Sequence, residues 1–168
     1  DDCWTSMYAW GSILKENENV IFTKLFEDKI ICVNLETEKK KIYECKWLNG
    51  GGAGICGDNE CVWILPRKTD KVFCWDRNEK ILHVYDDFPE EYDPGEWSFY
   101  KLWLDEKLYL LPRDANMCIT VDKKTGKMER FEVDVKPCSS DDFYNRYMRY
   151  CNVWKDKDKV MIISSENG

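Results

Sequence analysis

Short runs of apolar residues, separated by turns rich in Asp, Asn, Gly and Pro, cover most of this chain. The runs are rich in aromatic and β-branched side chains, which favours strands over helices. They recur as a group, because Val20–Asn34, Val62–Asp76 and Leu108–Asp122 align with one another without a gap. A further copy starts at Val160 and the sequence stops inside it, at Gly168.

Each repeat predicts four strands. The first strands are predicted at Ser12–Lys15, Ala53–Cys56, Phe99–Leu104 and Tyr150–Trp154. The second strands are predicted at Val20–Leu25, Cys61–Leu65, Leu108–Leu111 and Val160–Ile163. The third strands are predicted at Lys29–Val33, Val72–Trp75 and Cys118–Val121, and the fourth at Lys41–Trp47, Ile81–Tyr85 and Met128–Val133.

The second and third strands are almost continuously apolar, which predicts that both of their faces are buried. The fourth strands alternate between polar and apolar residues, as a half-exposed outer strand does. A β-sandwich would bury one face of each strand, so its inner strands would alternate too. The repeat, at about every 45 residues, therefore predicts an all-β fold of β-propeller blades, each a four-stranded antiparallel sheet between two others.

Turn residues fall where this arrangement needs them. Pro66 and Pro112 end second strands, since proline cannot donate to a ladder. Short polar residues at the second-to-third turn can bond the backbone two residues on, and these are Asp28, Asp70 and Asn116. A second set starts the third-to-fourth turn, at Asn34, Asp76 and Asp122. Longer links join the repeats at Leu48–Gly52, Phe88–Gly95 and Asp134–Asn145, and Gly50–Gly52 predicts a flexible link.

The pattern Leu-Pro-Arg…Asp…Asp carries a family resemblance. It stands at Leu65, Pro66, Arg67, Asp70 and Asp76, and again at Leu111, Pro112, Arg113, Asn116 and Asp122. With these repeats the chain resembles the β-propeller superfamily of the bacterial kelch-like or NHL-like kind, over about residues 10 to 168. The resemblance implies a fold and a binding surface, and it implies no reaction.

The repeats predict one partial propeller domain, 1–168, with blades at about 11–47, 53–88 and 97–135 and a partial blade at 146–168. That is about three and a half blades, whereas known propellers close with about four to eight. Two explanations stay open. The chain is a piece of a longer propeller, which we favour, or two copies close a ring of about seven blades. To close the ring, the chain therefore needs either self-association or the remainder of a longer chain.

Charge and composition limit the classes of partner and the cellular location that we expect for this chain. The net charge of −7 argues against nucleic acid, since phosphate binding needs a basic face. The sequence contains no basic amphipathic helix and no run of eighteen apolar residues, so no membrane-spanning segment is predicted. The nine cysteines, an odd number, predict reduced thiols in the cytoplasm; Cys56 and Cys61 could oppose each other across a hairpin but are interpreted as reduced. With one His and no CxxC pair, no metal site or cofactor is predicted.

Arg67 and Arg113 occupy the same position in two repeats and are the first candidate binding residues. Two guanidinium groups at one end of a ring could clamp a carboxylate or a phosphate. The alternative, which we favour, is that each pairs with an acid on a neighbouring blade, such as Asp76 or Asp122, and holds the blades together.

Aromatic residues in or near the links are the second set of candidates. Trp47, Tyr92 and Trp97, with Trp103 nearby, could stack on a sugar or grip a peptide, and they could equally fill the wedge between blades. The acidic residues between Asp86 and Asp93 are interpreted as a solvated loop, and His83 as an exposed side chain of an outer strand. No catalytic residue is assigned.

The sequence thus favours a non-enzymatic scaffold that binds a protein or small-molecule ligand, of unknown identity, through loops at one face of the ring. The alternative function is a propeller enzyme that acts on a sugar or a lactone at the central channel.

Overall fold

The described residues form three four-stranded antiparallel sheets and one two-stranded sheet. The computed structural model describes residues 10–67, 70–78, 80–95, 98–132, 152–156 and 159–163. Blade 1 consists of β1 (Trp10–Glu16), β2 (Asn19–Lys24), β3 (Lys29–Asn34) and β4 (Lys40–Glu44). Blade 2 consists of β5 (Gly52–Gly57), β6 (Val62–Pro66), β7 (Val72–Trp75) and β8 (Ile81–Tyr85). Blade 3 consists of β9 (Phe99–Leu104), β10 (Lys107–Pro112), β11 (Cys118–Asp122) and β12 (Met128–Phe131), and β13 (Asn152–Asp156) pairs with β14 (Lys159–Ile163).

In each blade the strands pair in sequence order, so consecutive strands are neighbours. The prediction of four antiparallel strands per repeat is confirmed, and β6 and β10 end at Pro66 and Pro112 as expected. The fourth strand of blade 1 is shorter than predicted. After Glu44 the N–H of Cys45 donates to the backbone oxygen of Asp28 at 2.6 Å, and the chain then turns through a 3₁₀ helix, Lys46–Leu48. The link predicted at Asp134–Asn145 lies outside the described residues.

The chain divides into two compact units, Asp1–Asp86 and Asp87–Gly168. Blades 1 and 2 belong to the first unit, and blade 3 with β13 and β14 belongs to the second. Among the residues that the structure describes, no helix has the length and apolar character needed to cross a membrane.

The core of the first unit lies between blades 1 and 2. Blade 1 contributes one face of its sheet and blade 2 the opposing face. The buried members are Ile21, Ile30, Tyr43, Cys45, Leu48, Ile55, Val62, Ile64 and Trp75. Trp75 is fully buried and meets the Tyr43 ring edge-on, with ring centroids 5.0 Å apart. Aromatic pairs of this geometry add to the free energy gained by burying their area, so this contact holds the two sheets together.

Burial follows the predicted pattern in blade 2 and departs from it in blade 1. Every residue of β6 and β7 is buried, so both faces of these strands are covered as predicted. In β2, by contrast, only Ile21 and Thr23 are buried, and Phe22 between them is half-buried. Successive strand residues point to opposite faces, so one face of blade 1 is covered and the other is partly open.

The second unit has its own core on blade 3. Its β10 and β11 are buried along most of their length. The fully buried aliphatic side chains are Leu108, Leu110, Leu111, Ile119 and Val121. Their area supplies the main driving force for folding of this sheet, since burial of apolar surface dominates the stability of a domain.

Short polar residues fix the third-to-fourth turns. The Asp76 carboxylate accepts the N–H groups of Asn78 at 2.7 Å and Lys80 at 3.1 Å. Asp122 accepts from Lys124 at 3.0 Å and from Thr125 at 2.8 Å, and these bonds lower the pKa of its carboxyl group. Such local side-chain bonds define the turn independently of distant packing.

An ion pair joins blades 1 and 2 at the end where these turns lie. The Arg77 guanidinium donates from Nε to Glu16 Oε2 at 2.7 Å and from Nη2 to Oε1 at 2.5 Å. Nη2 also reaches the backbone oxygen of Asp58, and Tyr43 of blade 1 donates to the backbone oxygen of Arg77 at 2.8 Å. The pair is largely shielded, with side-chain exposures of 27% and 21%, so it fixes how blade 2 sits on blade 1.

A disulfide within blade 2 corrects the expectation of reduced cysteines at two positions. Cys61 and Cys74 are joined, with Cα atoms 5.8 Å apart, a separation typical of disulfides. The opposition of Cys56 and Cys61 is wrong, because Cys56 pairs in register with Trp63. The reason is the length of the first hairpin of blade 2, which leaves Cys61 ahead of β6 and on the same face as Cys74 of β7.

We predict that Glu16→Gln destabilises the chain and that the matched change Glu132→Gln does not. Glu132 pairs with Arg130 at the surface, where side-chain exposures are 79% and 54%. Loss of the shielded charge should lower the free energy of unfolding by about 1–2 kcal/mol, and loss of the exposed one by less than about 0.5 kcal/mol. Urea unfolding measures both, and equal effects would show that Glu16 gains nothing from its shielded position.

We also predict that reduction of the Cys61–Cys74 disulfide lowers the free energy of unfolding by about 3 kcal/mol, because the bond closes a short loop of the unfolded chain. Thermal unfolding with and without dithiothreitol measures the effect, and a non-reduced digest identifies the linked peptides. The double variant Cys61→Ala, Cys74→Ala is the control. If it responds to dithiothreitol as strongly as the parent chain, the stabilisation comes from other cysteines.

Candidate functional site

The link end of a blade is defined here as the end where the chain enters the first strand and where the second strand turns into the third. In blade 2 the N–H of Arg67 donates to the backbone oxygen of Gly51 at 2.9 Å. In blade 3 the N–H of Arg113 donates to the backbone oxygen of Ser98, also at 2.9 Å. The same contact therefore positions both arginines, directly after Pro66 and Pro112.

Arg67 reaches across to blade 1. Its guanidinium carbon lies 5.1 Å from the centre of the Phe26 ring, a cation–π contact. Phe26 occupies the second-to-third turn of blade 1 and is 55% exposed, while Arg67 is half-buried. The contact links blade 2 to blade 1 through an aromatic ring. That Arg67 pairs with an acid on a neighbouring blade stays a prediction, and Asp76 holds the third-to-fourth turn of blade 2.

Arg113 is half-buried in the second unit. The Ser98 oxygen that accepts its N–H also accepts those of Asp114 at 3.2 Å and Ala115 at 3.0 Å, and Ser98 has a positive φ of 29°. Arg67 and Arg113 belong to different units, so a shared clamp for a carboxylate or phosphate stays a prediction. Asp122 holds the turn at the opposite end of blade 3.

Asp28 organises the link between blades 1 and 2. Its Oδ1 accepts the N–H of Gly50 at 2.7 Å and that of Gly51 at 3.3 Å. Both glycines have positive φ, 105° and 107°, and a side chain at Gly51 would collide with the Leu25 carbonyl. The expected flexible link is thus fixed, and the expected bond from Asp28 to its own turn is wrong, because Asp28 reaches a segment 22 residues away.

Asn116 does the same for the link that enters blade 3. Its Oδ1 accepts the N–H of Asp93 at 3.0 Å, and its Nδ2 donates to the Glu91 carbonyl at 2.7 Å. Here too the expected short-range bond is replaced by a long-range one. The acidic segment between Asp86 and Asp93, interpreted from sequence as a solvated loop, is held at its end by this amide.

Tyr92, a predicted binding residue, lies between two other rings. Its ring centroid is 4.3 Å from that of Phe88 and 5.8 Å from that of Phe99, and all three rings are stacked. Tyr92 is half-buried, whereas Phe99 is buried. The structure therefore gives Tyr92 a packing role within the second unit.

The predicted tryptophans fall into three situations. Trp47 lies in the 3₁₀ helix of blade 1, partly buried, with its ring centroid 4.7 Å from that of Phe73 in blade 2, so it fills space between these blades. Trp103 contacts Tyr109 within blade 3, at 4.7 Å. Trp97 lies outside the described residues. A ligand-binding role for these aromatic residues stays a prediction.

Phe26 is the residue that sequence reasoning missed. The sequence does contain a sign of it, because a large aromatic side chain that stands in a turn, next to Glu27 and Asp28, lies outside the core strands. The polar residues Glu27 and Asp28 predict the turn, and they carry no information about a ring that contacts the next blade.

Two thiols near the core are not activated nucleophiles. Burial raises the pKa of Cys32 to about 11 and that of Cys45 to about 12, so both stay protonated at neutral pH. His83 is exposed on β8, as predicted. In the described part of the chain, no group of three or more His, Cys, Asp or Glu side chains is arranged to hold a metal ion.

Comparison with known proteins supports the fold. No family model matches the chain, and no curated protein matches it. Among solved structures, virginiamycin B lyase from Staphylococcus aureus, a β-propeller, superimposes with a TM-score of 0.60 at 14% sequence identity. The match covers 77% of this chain and 43% of that one, so this chain spans less than half of its length. The chain has the all-β fold of β-propeller blades, and the kelch-like or NHL-like assignment stays a prediction.

We predict that Asp28→Ala loosens the link between blades 1 and 2, whereas Asp28→Asn keeps the acceptor oxygen and most of the order. Leaving the Gly50 and Gly51 N–H groups without this acceptor should lower the free energy of unfolding by about 1–2 kcal/mol. Hydrogen exchange of a peptide spanning 48–52 should accelerate in the alanine variant only. Equal exchange in both variants would show that the carboxylate oxygen does not hold the link.

Proposed function

We propose that this chain is a non-enzymatic scaffold that binds a protein or small-molecule ligand at the link end of blades 1 and 2. The observation that carries the proposal is the exposed ring of Phe26, held against Arg67 of the next blade. Exposed aromatic rings and arginines are the side chains that dominate binding energy in protein interfaces. A rigid support increases their value, because less conformational freedom is lost on binding.

The neighbourhood of Phe26 supplies that support. Lys24 pairs with Glu27 at 3.1 Å, and Asp28 fixes the adjoining glycine link. The surface therefore combines one apolar ring with both signs of charge at its border. We infer that it fits a partner with an apolar anchor and polar flanks, which favours a protein segment over a nucleic acid.

An enzyme is the second candidate function. The specific observation in its favour is that the structural neighbour is named as a lyase that acts on virginiamycin B. At 14% identity this name carries no residue over to the present chain. The alternative expected from sequence, an enzyme that acts on a sugar or a lactone, stays a proposal. Incubation with virginiamycin B, followed by mass spectrometry, tests it, and turnover would contradict the scaffold.

Location in the cytoplasm also stays a proposal. It rests on the remaining thiols, since Cys32 and Cys45 are among the cysteines outside the disulfide. The Cys61–Cys74 disulfide argues against the cytoplasm, because reducing compartments keep cysteine pairs in the thiol form. Alkylation of thiols in intact cells, followed by digestion, decides between them.

We predict that the double variant Phe26→Ala, Arg67→Ala recovers at least about ten-fold less of a cross-linked partner from cells than the parent chain does. Leu35→Ala is the matched control, since Leu35 is 50% exposed and lies at the opposite end of blade 1. Quantitative mass spectrometry of the captured partner gives the readout. Recovery that survives the double variant and falls with Leu35→Ala would move binding to the other end of the blades.

A further inference from the structure

The Cys61–Cys74 disulfide and the Arg77 side chain hold the same turn of blade 2. This turn joins β5 to β6, between Asp58 and Cys61. Arg77 Nη2 donates to the backbone oxygen of Asp58 at 2.5 Å and to that of Cys61 at 3.4 Å. The Cys61 side chain is bonded to Cys74 of β7, the strand that leads to Arg77. The disulfide therefore ties the two acceptors to the strand that positions their donor.

Arg77 is also the residue of blade 2 that binds Glu16 of blade 1. Its Nε and Nη2 both donate to the Glu16 carboxylate, and Tyr43 of blade 1 donates to its backbone oxygen. The Glu16 carboxylate lies close to the end of β5 as well, because a side chain at Gly57 would collide with Oε1. One nitrogen, Nη2, thus contacts both the turn that the disulfide holds and the acid of the neighbouring blade.

The backbone of Arg77 indicates that these contacts act together. Its φ is 71°, in the left-handed region that residues other than glycine rarely adopt. Such a conformation persists where the surrounding contacts impose it. The contacts come from blade 1, through Glu16 and Tyr43, and from the turn Asp58–Cys61. A change that loosens the turn should therefore also loosen the contact with blade 1.

The chain combines this disulfide with cysteines that keep their thiols. Cys32 and Cys45 are among those outside the disulfide. In reducing compartments the disulfides that do form are usually transient, and either catalytic or redox-sensing. A disulfide that opens and closes is compatible with both observations. Because Cys61 is 1% exposed and Cys74 is 3% exposed, a reductant reaches the sulfurs when the turn opens locally.

We propose that the contact between blades 1 and 2 is redox-sensitive and that the Cys61–Cys74 disulfide is its switch. A dithiol reductant breaks the S–S bond, each cysteine sulfur gains one electron and one proton, and the reductant closes to its own disulfide. The turn Asp58–Cys61 then loses its covalent tie to β7. Arg77 loses the fixed position of two acceptors and binds Glu16 less firmly. This inference is independent of the ligand proposed for the link end.

The rate at which dithiothreitol reduces the purified full chain tests the proposal. If the disulfide supports the contact of Arg77 with Glu16, that contact must protect the disulfide in return. Glu16→Gln should therefore accelerate reduction by about five-fold or more. Alkylation of the new thiols, followed by mass spectrometry of the Cys61 and Cys74 peptides, gives the rate. Asp28→Ala is the matched control, since Asp28 holds the opposite end of the same two blades, and it should accelerate reduction less than about two-fold.

Hydrogen exchange gives a second measurement on the parent chain. Reduction should accelerate exchange of a peptide spanning 14–18, at the Glu16 contact, by about five-fold or more, and that of 118–122 in blade 3 by less than about two-fold. Equal acceleration of the two peptides would overturn the proposal, since reduction would then unfold the chain as a whole. Unchanged exchange at 14–18 would overturn it too.

Two further outcomes contradict the switch. Equal rates of reduction in the Glu16→Gln and Asp28→Ala variants would show that the disulfide follows the overall stability of the first unit. A non-reduced digest of the parent chain that lacks the linked Cys61 and Cys74 peptides would remove the switch itself. Circular dichroism of the oxidised variants checks that both are folded before the reductant is added.

Discussion

The structure depends on the burial of one sheet against the next. In blade 2 the inner strands β6 and β7 are buried on both faces of the sheet. An apolar sheet face has to pack against another element of structure. The contact of Trp75 with Tyr43, at the centre of the cluster between blades 1 and 2, shows how the first unit solves this requirement. Because apolar burial is non-directional, it brings the sheets together without fixing their relative position.

Polar contacts at the two ends of the blades supply that position. At one end, Arg77 binds Glu16 in a two-point contact, which constrains both distance and angle. At the other end, Asp28 holds the glycine link through which the chain passes into blade 2. The exposed Phe26 ring and Arg67 lie at this second end, so the proposed binding surface rests on a backbone that is already ordered.

The differences between repeats are as informative as the repeats. The position after the third strand is Arg77 in blade 2, where it binds the preceding blade, and Leu35 in blade 1, where it is exposed. Likewise, the glycine that lets Glu16 approach blade 2 is replaced by Lys15 in blade 1. Blade 1 therefore keeps the apolar row that packs on the preceding blade in blade 2, namely Ile13, Phe22 and Ile31, and differs at the border of that face.

Local sequence determined the strands, their antiparallel order and the ends at Pro66 and Pro112, because side-chain alternation and the missing proline N–H act within a few residues. Tertiary structure alone decided the partners of Asp28 and Arg77, which lie 22 and 61 residues away in the chain. It also decided the pairing of Cys61 with Cys74, which depends on strand register. The same holds for Ile13, which is exposed although Ile55 at the equivalent position of blade 2 is buried. The pattern of apolar residues along a strand predicts which face is apolar, and only the neighbouring sheet determines whether that face is buried.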